Sequence, residues 1–325
     1  MHTVPTNPLN LPEMQFIIGA YLNKIDLVAC ILVCKSWSHT FGPLLYSYLN
    51  LRKRAAPPFD LCCTYASHVH NICFDETTPP ESLALNFSNL STLSCSSYVR
   101  SRNTDIWVEF IQRHHMSLKT LEVGADLPLR FWESLAETSF FPELREISIE
   151  GEFWGQSEPE LSVFQYESAA AFWKACTRFK AVSLTSLYTD FPDMDRCLAF
   201  KYLESLELAQ LIDPTIAEYM ALLSNCPRLQ HLFWHCDKED SHEILEGMAQ
   251  LALSGHLQCL RSLDLNLMVH NTDSVPINQS MMKLLNALKT PLKSLYLNCG
   301  QDMEETTLLQ AVQRHGRSLN SGSTE

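Results

Sequence analysis

Histidine and cysteine pairs are the first residues of this 325-residue sequence that could do chemistry. His114-His115, His231 with His235, and Cys62-Cys63 each bring two soft or borderline ligands together, but none has the second pair that a tetrahedral metal site needs, and no C-x-x-C is present. Single histidines and cysteines of this kind are expected on the surface or in loops. There is no G-x-S-x-G, H-E-x-x-H or phosphate-cradling glycine loop. The expectation is a non-catalytic chain with no metal and no cofactor.

Other residues offer binding chemistry. Lys119, Arg145, Lys180, Arg261 and Lys293 recur at one fixed place in a repeated pattern, and such side chains make charge-assisted hydrogen bonds to oxyanions, so an acidic or phosphorylated peptide is one ligand class. Pairing with Glu122, Glu207 and Asp264 is the plainer role for this row, since exposed ion pairs are common and weak. Phe233 and Tyr296 interrupt a floor of small polar residues, Asp264 holds the matching position between them, and His231 lies beside Phe233. Aromatic rings ringed by polar groups anchor interfaces, which makes His231, Phe233, Asp264 and Tyr296 the candidate substrate-binding residues. The alternative is that inserted loops cover the two rings.

These placements follow from a repeat. The pattern apolar-x-x-apolar-x-apolar occurs nine times, as "VHNICF" from Val69, "LSTLSC" from Leu90, "LKTLEV" from Leu118, "LREISI" from Leu144, "FKAVSL" from Phe179, "LESLEL" from Leu203, "LQHLFW" from Leu229, "LRSLDL" from Leu260 and "LKSLYL" from Leu292. The starts are 21, 28, 26, 35, 24, 26, 31 and 32 residues apart, around the 20 to 29 residues of leucine-rich repeats. Amphipathic stretches between them predict helices, among them "DPTIAEYMALLSNCP", where Asp213 is the expected N-cap and Pro214 the first helical residue. Strand, loop and helix in repetition predict an α/β curved solenoid with a parallel concave sheet and convex helices. Leucines turn inward, and Thr92, Ser94, Thr120, Ser148, Ser183, Ser205, Ser262 and Ser294 turn to the concave side. An ordinary doubly wound sheet fits less well, because its strands are longer continuous apolar runs.

Composition narrows the class further. With 46% hydrophobic residues the chain can bury a large core, and its net charge of −13 opposes a nucleic-acid ligand. No apolar run is long enough to span a bilayer and no secretory leader is visible, so a cytoplasmic or nuclear location is expected, with the twelve cysteines reduced and Cys30, Cys34 and Cys95 buried.

Ahead of the repeats, residues 9–50 read as three short helices: Pro12 opens the first, Asp26 caps the second, and Lys35 begins the third, which carries Trp37, Phe41, Leu44 and Leu45. So small a module cannot bury Met14, Phe16, Ile17, Ile18, Tyr21, Leu22, Leu27, Ile31, Val33 and Trp37 by itself, and some of that surface is left for a partner. The pattern "LPEM...I..YL...DL..C.LVCK.W", closed by "PLLY", resembles an F-box, in the fungal style that precedes leucine-rich repeats. The resemblance implies a substrate-recognition subunit of an SCF-type E3 ubiquitin ligase, which binds the Skp adaptor, and through it a cullin, by the F-box and a protein substrate by the repeats. Its adaptor-facing positions fall on Leu11, Pro12, Ile18, Leu22, Leu27, Val33, Cys34 and Trp37. Gly19, read as mid-helical, and Gln15 depart from the family pattern. A helical cap sealing the first repeat, or a binding scaffold with no role in ubiquitin transfer, are the alternatives. The expected division is a tail over 1–8, an F-box over 9–50, a linker over 51–67 that includes "RKRAAPPFD", repeats over 68–316 and an unfinished repeat over 317–325.

Overall fold

The computed structural model describes residues 11–52, 56–95, 104–125, 127–137, 139–151, 163–164, 166–189, 199–211, 214–236, 241–267 and 275–298, together with Leu309, Gln313 and His315. The expected tail over 1–8, the unfinished repeat over 317–325 and the capping residue Asp213 lie outside these residues. The chain forms two compact units, residues 1–122 and 123–325.

The first unit begins with helices α1 (Pro12–Gly19), α2 (Lys24–Ile31) and α3 (Lys35–Leu45). Then follow β1 (Tyr48–Asn50), α4 (Phe59–Tyr65), β2 (Asn71–Phe74), α5 (Pro80–Leu83), β3 (Thr92–Cys95), α6 (Thr104–Arg113) and β4 (Thr120–Gly124). Strands β1 to β4 pair in sequence order, all parallel. The second unit contains α7 (Leu129–Ala136), β5 (Glu146–Glu150), β6 (Val163–Phe164), α8 (Tyr166–Cys176), β7 (Ala181–Thr185), β8 (Tyr188–Thr189) and β9 (Ser205–Ala209). It continues with α9 (Ile216–Ser224), β10 (His231–Cys236), α10 (Ser241–Leu253), β11 (Ser262–Leu267), α11 (Val275–Ala287) and β12 (Ser294–Asn298). Its strands run β5-β7-β9-β10-β11-β12, again all parallel, while β6 and β8 form a separate short pair.

All nine repeated sextets carry a strand, and each strand begins at the third residue of its sextet. The first residue, from Val69 to Leu292, is at most 1% exposed in every copy. The fourth and sixth are buried in all but the last strand, where Leu295 and Leu297 are half-buried. Each fully buried side chain of this size contributes about 1.5–3 kcal/mol, so three per strand hold the register against a one-residue slip that would turn all of them to water. Neighbouring strands accordingly align sextet on sextet, with Leu206 beside Leu232 and Leu232 beside Leu263.

A tenth copy escapes the sequence reading. "YSYLNL", Tyr46 to Leu51, has the same form, and its third to fifth residues are β1, with Leu49 and Leu51 almost fully buried. It was absorbed into the expected three-helix module, whose bounds of 9–50 take in its first five residues. The expected linker is correspondingly more ordered: Leu51 is in the core and α4 lies within 51–67.

Two helix starts are corrected. Asn23, not Asp26, caps α2, its side chain accepting a hydrogen bond from the Asp26 backbone N–H at 3.0 Å. Thr215 caps α9 in a reciprocal box with Glu218, so Pro214 precedes the helix instead of opening it.

Candidate functional site

Two surfaces collect the residues singled out by sequence. The first is the three-helix module. Leu27, Phe41 and Leu45 form its small core, with Leu22, Cys30, Ile31, Trp37 and Leu44 packed around them. Trp37 meets Phe41 edge-on with ring centroids 5.3 Å apart. Of the implied adaptor-facing positions, Leu11, Pro12, Val33 and Cys34 are exposed and Ile18, Leu22 and Trp37 are half-buried. Leu27 is a correction: at 7% exposure it belongs to the module's own core, because α2 needs one apolar side chain facing α3. Cys34, expected to be buried, is exposed and Cys30 half-buried.

Helix α1 is inverted relative to an ordinary amphipathic helix. Its two buried residues are Gln15 and Gly19, one turn apart on one face, while Met14, Phe16 and Ile17 face water. The departures noted in sequence are thereby explained. Gly19 is the last residue of α1, not a mid-helical one, and a Cβ there would lie 2.5 Å from Leu44 Cδ1 and 2.9 Å from the Phe41 ring. A glycine lets α1 approach α3 closely. Sequence reasoning missed Ile25 and Leu32, which are 81% and 78% exposed. The signal was present, since neither falls on a buried helical stripe shared with Leu27.

The second surface is the solvent-facing side of the strands in the second unit. Register alignment places Ser148, Ser183, Glu207, Phe233, Asp264 and Tyr296 in one row across six strands. His231 lies two residues before Phe233 on β10, hence on the same face, beside Ser205 and Ser262. Three of the four candidate residues are thus direct lateral neighbours, and His231 flanks them. Tyr296 is 55% exposed, Phe233 and Asp264 are half-buried, and His231 is exposed. The Asp264 carboxyl is pushed above its usual range by burial and then by the Glu207 carboxylate. Its Oδ1 is shielded from solvent and has no hydrogen-bond partner among the described residues.

The basic residues stand apart from that row. Arg145, Lys180, Arg261 and Lys293 all precede their strands by one residue, because the strands begin at the third sextet position. Their backbones are laterally bonded, the Lys180 N–H donating to the Arg145 carbonyl and the Lys293 N–H to the Arg261 carbonyl. The expected pairing with Glu122, Glu207 and Asp264 does not form among the described residues. Arg145 instead reaches Glu143 at 3.8 Å.

Histidine and cysteine pairs do not assemble a centre. Contrary to a surface or loop placement, His114 is buried: its Nε2 accepts the Phe87 N–H at 3.0 Å and its Nδ1 lies 2.9 Å from the Phe110 carbonyl. Cys62 is buried and Cys63 exposed. Among the described residues no group of three His, Cys, Asp or Glu could hold a metal ion, and no helix is long and apolar enough to cross a membrane. No family model matches this sequence, and no curated protein matches it.

Proposed function

We propose that this chain is the substrate-recognition subunit of an SCF-type ubiquitin ligase, docking a Skp-family adaptor through α1 to α3 and a protein substrate through the strand face of a leucine-rich solenoid. The observation that carries the reading is the inverted α1. A helix that buries a glutamine and a glycine while exposing Met14, Phe16 and Ile17 loses apolar burial unless another surface covers it. Leu11, just ahead of α1, and Leu32 and Val33, just past α2, are exposed as well. The F-box pattern from Leu11 to Trp37 gives that surface its partner class, and the ten-fold sextet gives the repeats theirs.

The test uses side chains that the fold does not need. A Leu11→Ser, Val33→Ser variant, both positions being exposed at 44% and 62%, is expected to lose capture of the purified Skp adaptor while its melting stays at the wild-type temperature. Capture at wild-type yield overturns the reading. A chain that binds the adaptor but supports no ubiquitin transfer to any client would be a scaffold instead.

A further inference from the structure

Across β9 to β12 the central row alternates in character: Glu207, Phe233, Asp264, Tyr296. Adjacent strands are about 4.8 Å apart, so each ring has a carboxylate-bearing neighbour within one strand spacing and the two carboxylates flank Phe233 about 10 Å apart at the backbone. A guanidinium is planar, stacks on aromatic faces and binds carboxylates through two parallel N–H donors, so ring and acid side by side match both of its faces.

Among the described residues nothing compensates the charge there. Neither Glu207 nor Asp264 makes an ion pair with a described residue, although Arg261 and Lys293 stand one residue before β11 and β12. Asp264 Oδ1 is shielded from water with no hydrogen-bond partner among the described residues, and on the next outward position of β11 Asn266 Oδ1 is in the same condition. Two carboxylates held near each other with a shielded, unbonded oxygen destabilise the free fold. Such an arrangement is retained where an incoming cation supplies the missing donors. The chain's net charge of −13 attracts a basic segment from a distance, whereas an acidic one would have to reach the lysines against that field.

Resting on the reading of this face as the substrate-binding one, we propose that the row Glu207-Phe233-Asp264-Tyr296 is a receptor for an arginine side chain, and that substrates are presented to it as a basic peptide segment. The arginine stacks on Phe233 or Tyr296 and bonds to Asp264, with Glu207 as the second acceptor. A phosphorylated or acidic segment on the basic residues is the opposite outcome.

The probe is a displayed library of random peptides, containing phosphoserine as one of its building blocks, selected on the full chain. Arginine is expected to be enriched over lysine at one peptide position. Asp264→Asn with Glu207→Gln is expected to lower affinity for a synthetic copy of the selected peptide by about tenfold or more, about 1.4 kcal/mol. Replacing the selected arginine by citrulline, neutral and of the same shape, is expected to cost the same. A control pair on exposed helix positions, Glu109→Gln with Glu133→Gln, leaves affinity unchanged. Because Asp264 is unfavourably held, Asp264→Asn is expected to melt no lower than wild type, which separates lost binding from lost fold. Selection of nothing, selection of phosphoserine or acidic peptides, or equal loss in the control pair overturns the proposal. Adaptor capture measured on the same preparations fails only if the broader reading fails.

Discussion

His114 is held by two hydrogen bonds that only one neutral form of its ring can make. With Nε2 accepting from Phe87, Nδ1 must carry the proton that reaches the Phe110 carbonyl, and burial, above all, pushes the imidazole below its ordinary value of 6.5. Unfolded, the ring takes up a proton below that value; folded, it stays neutral. Stability from this residue is therefore complete above about pH 6.5 and is lost as pH falls through the depressed folded value. The melting temperature is expected to drop between pH 7.5 and 5, and His114→Gln, which keeps an acceptor but cannot titrate, is expected to flatten that slope while lowering stability by about 1–2 kcal/mol. Gly19 supports a second prediction. Gly19→Ala gains helix propensity but drives a methyl into Phe41 and Leu44, and overpacking of this sort costs about 1–3 kcal/mol. Calorimetry should therefore find Gly19→Ala less stable, in spite of its better propensity.

Among the elements, the last strand depends on a residue far along the chain. His315 is 1% exposed; its Nδ1 accepts the Leu292 N–H at 3.2 Å and its Nε2 lies 3.4 Å from the Leu285 carbonyl, which ties this residue both to α11 and to the segment that opens β12. His114 occupies the same place in a matching stretch, "QRHHMSL" against "QRHGRSL". Truncation after residue 317 is expected to leave thermal stability nearly unchanged, whereas truncation after 308, which removes His315, is expected to lower it by several degrees and to speed hydrogen exchange in β12. Equal melting of the two truncations would show that the imidazole does not hold the strand. Gly151, Ser186 and Gln210 form another recurring element, each donating its N–H to the strand alongside. A Cβ at Gly151 would collide with the Ser186 backbone carbonyl, so Gly151→Ala is expected to destabilise the turn after β5.

For the molecule as a whole, the three-helix module and the strands are not separable where the sequence divided them. β1 pairs in parallel with β2 through Leu51 N–H to the Cys73 carbonyl and His70 N–H to the Ser47 carbonyl. Removing residues 1–50 therefore takes away an edge strand as well as the helices and bares the backbone of β2 to solvent and to other chains. A chain starting at residue 46 is expected to scatter light as the full chain does, in proportion to its mass, and one starting at residue 52 to melt lower and to associate further at high concentration. Trp37→Ala is expected to loosen the module, since its ring packs on Phe41, whereas Leu32→Ser, at 78% exposure, is expected to leave melting unchanged.

The sequence by itself determined the strands of this protein. Three apolar positions in each sextet can be buried together in only one register, so pattern alone gave nine strands, their parallel order and the outward row that holds Phe233, Asp264 and Tyr296. β1 was hidden because its residues run straight on from the helical module and were read as its end. Tertiary structure decided what period cannot express. Whether Leu27 is buried and Ile25 bare depends on how α2 packs on α3, and the burial of Gln15 and Gly19 depends on the close approach of α1 to α3 that Gly19 permits. Whether His114 is a surface residue or a core hydrogen-bond acceptor depends on a backbone N–H 27 residues away. That Asp264 meets Glu207 across Phe233, with no cation among the described residues, was likewise settled only when three strands lay side by side, because charge pairing is a property of distance in space and the basic residues expected to neutralise the row lie three positions before it along their own segments.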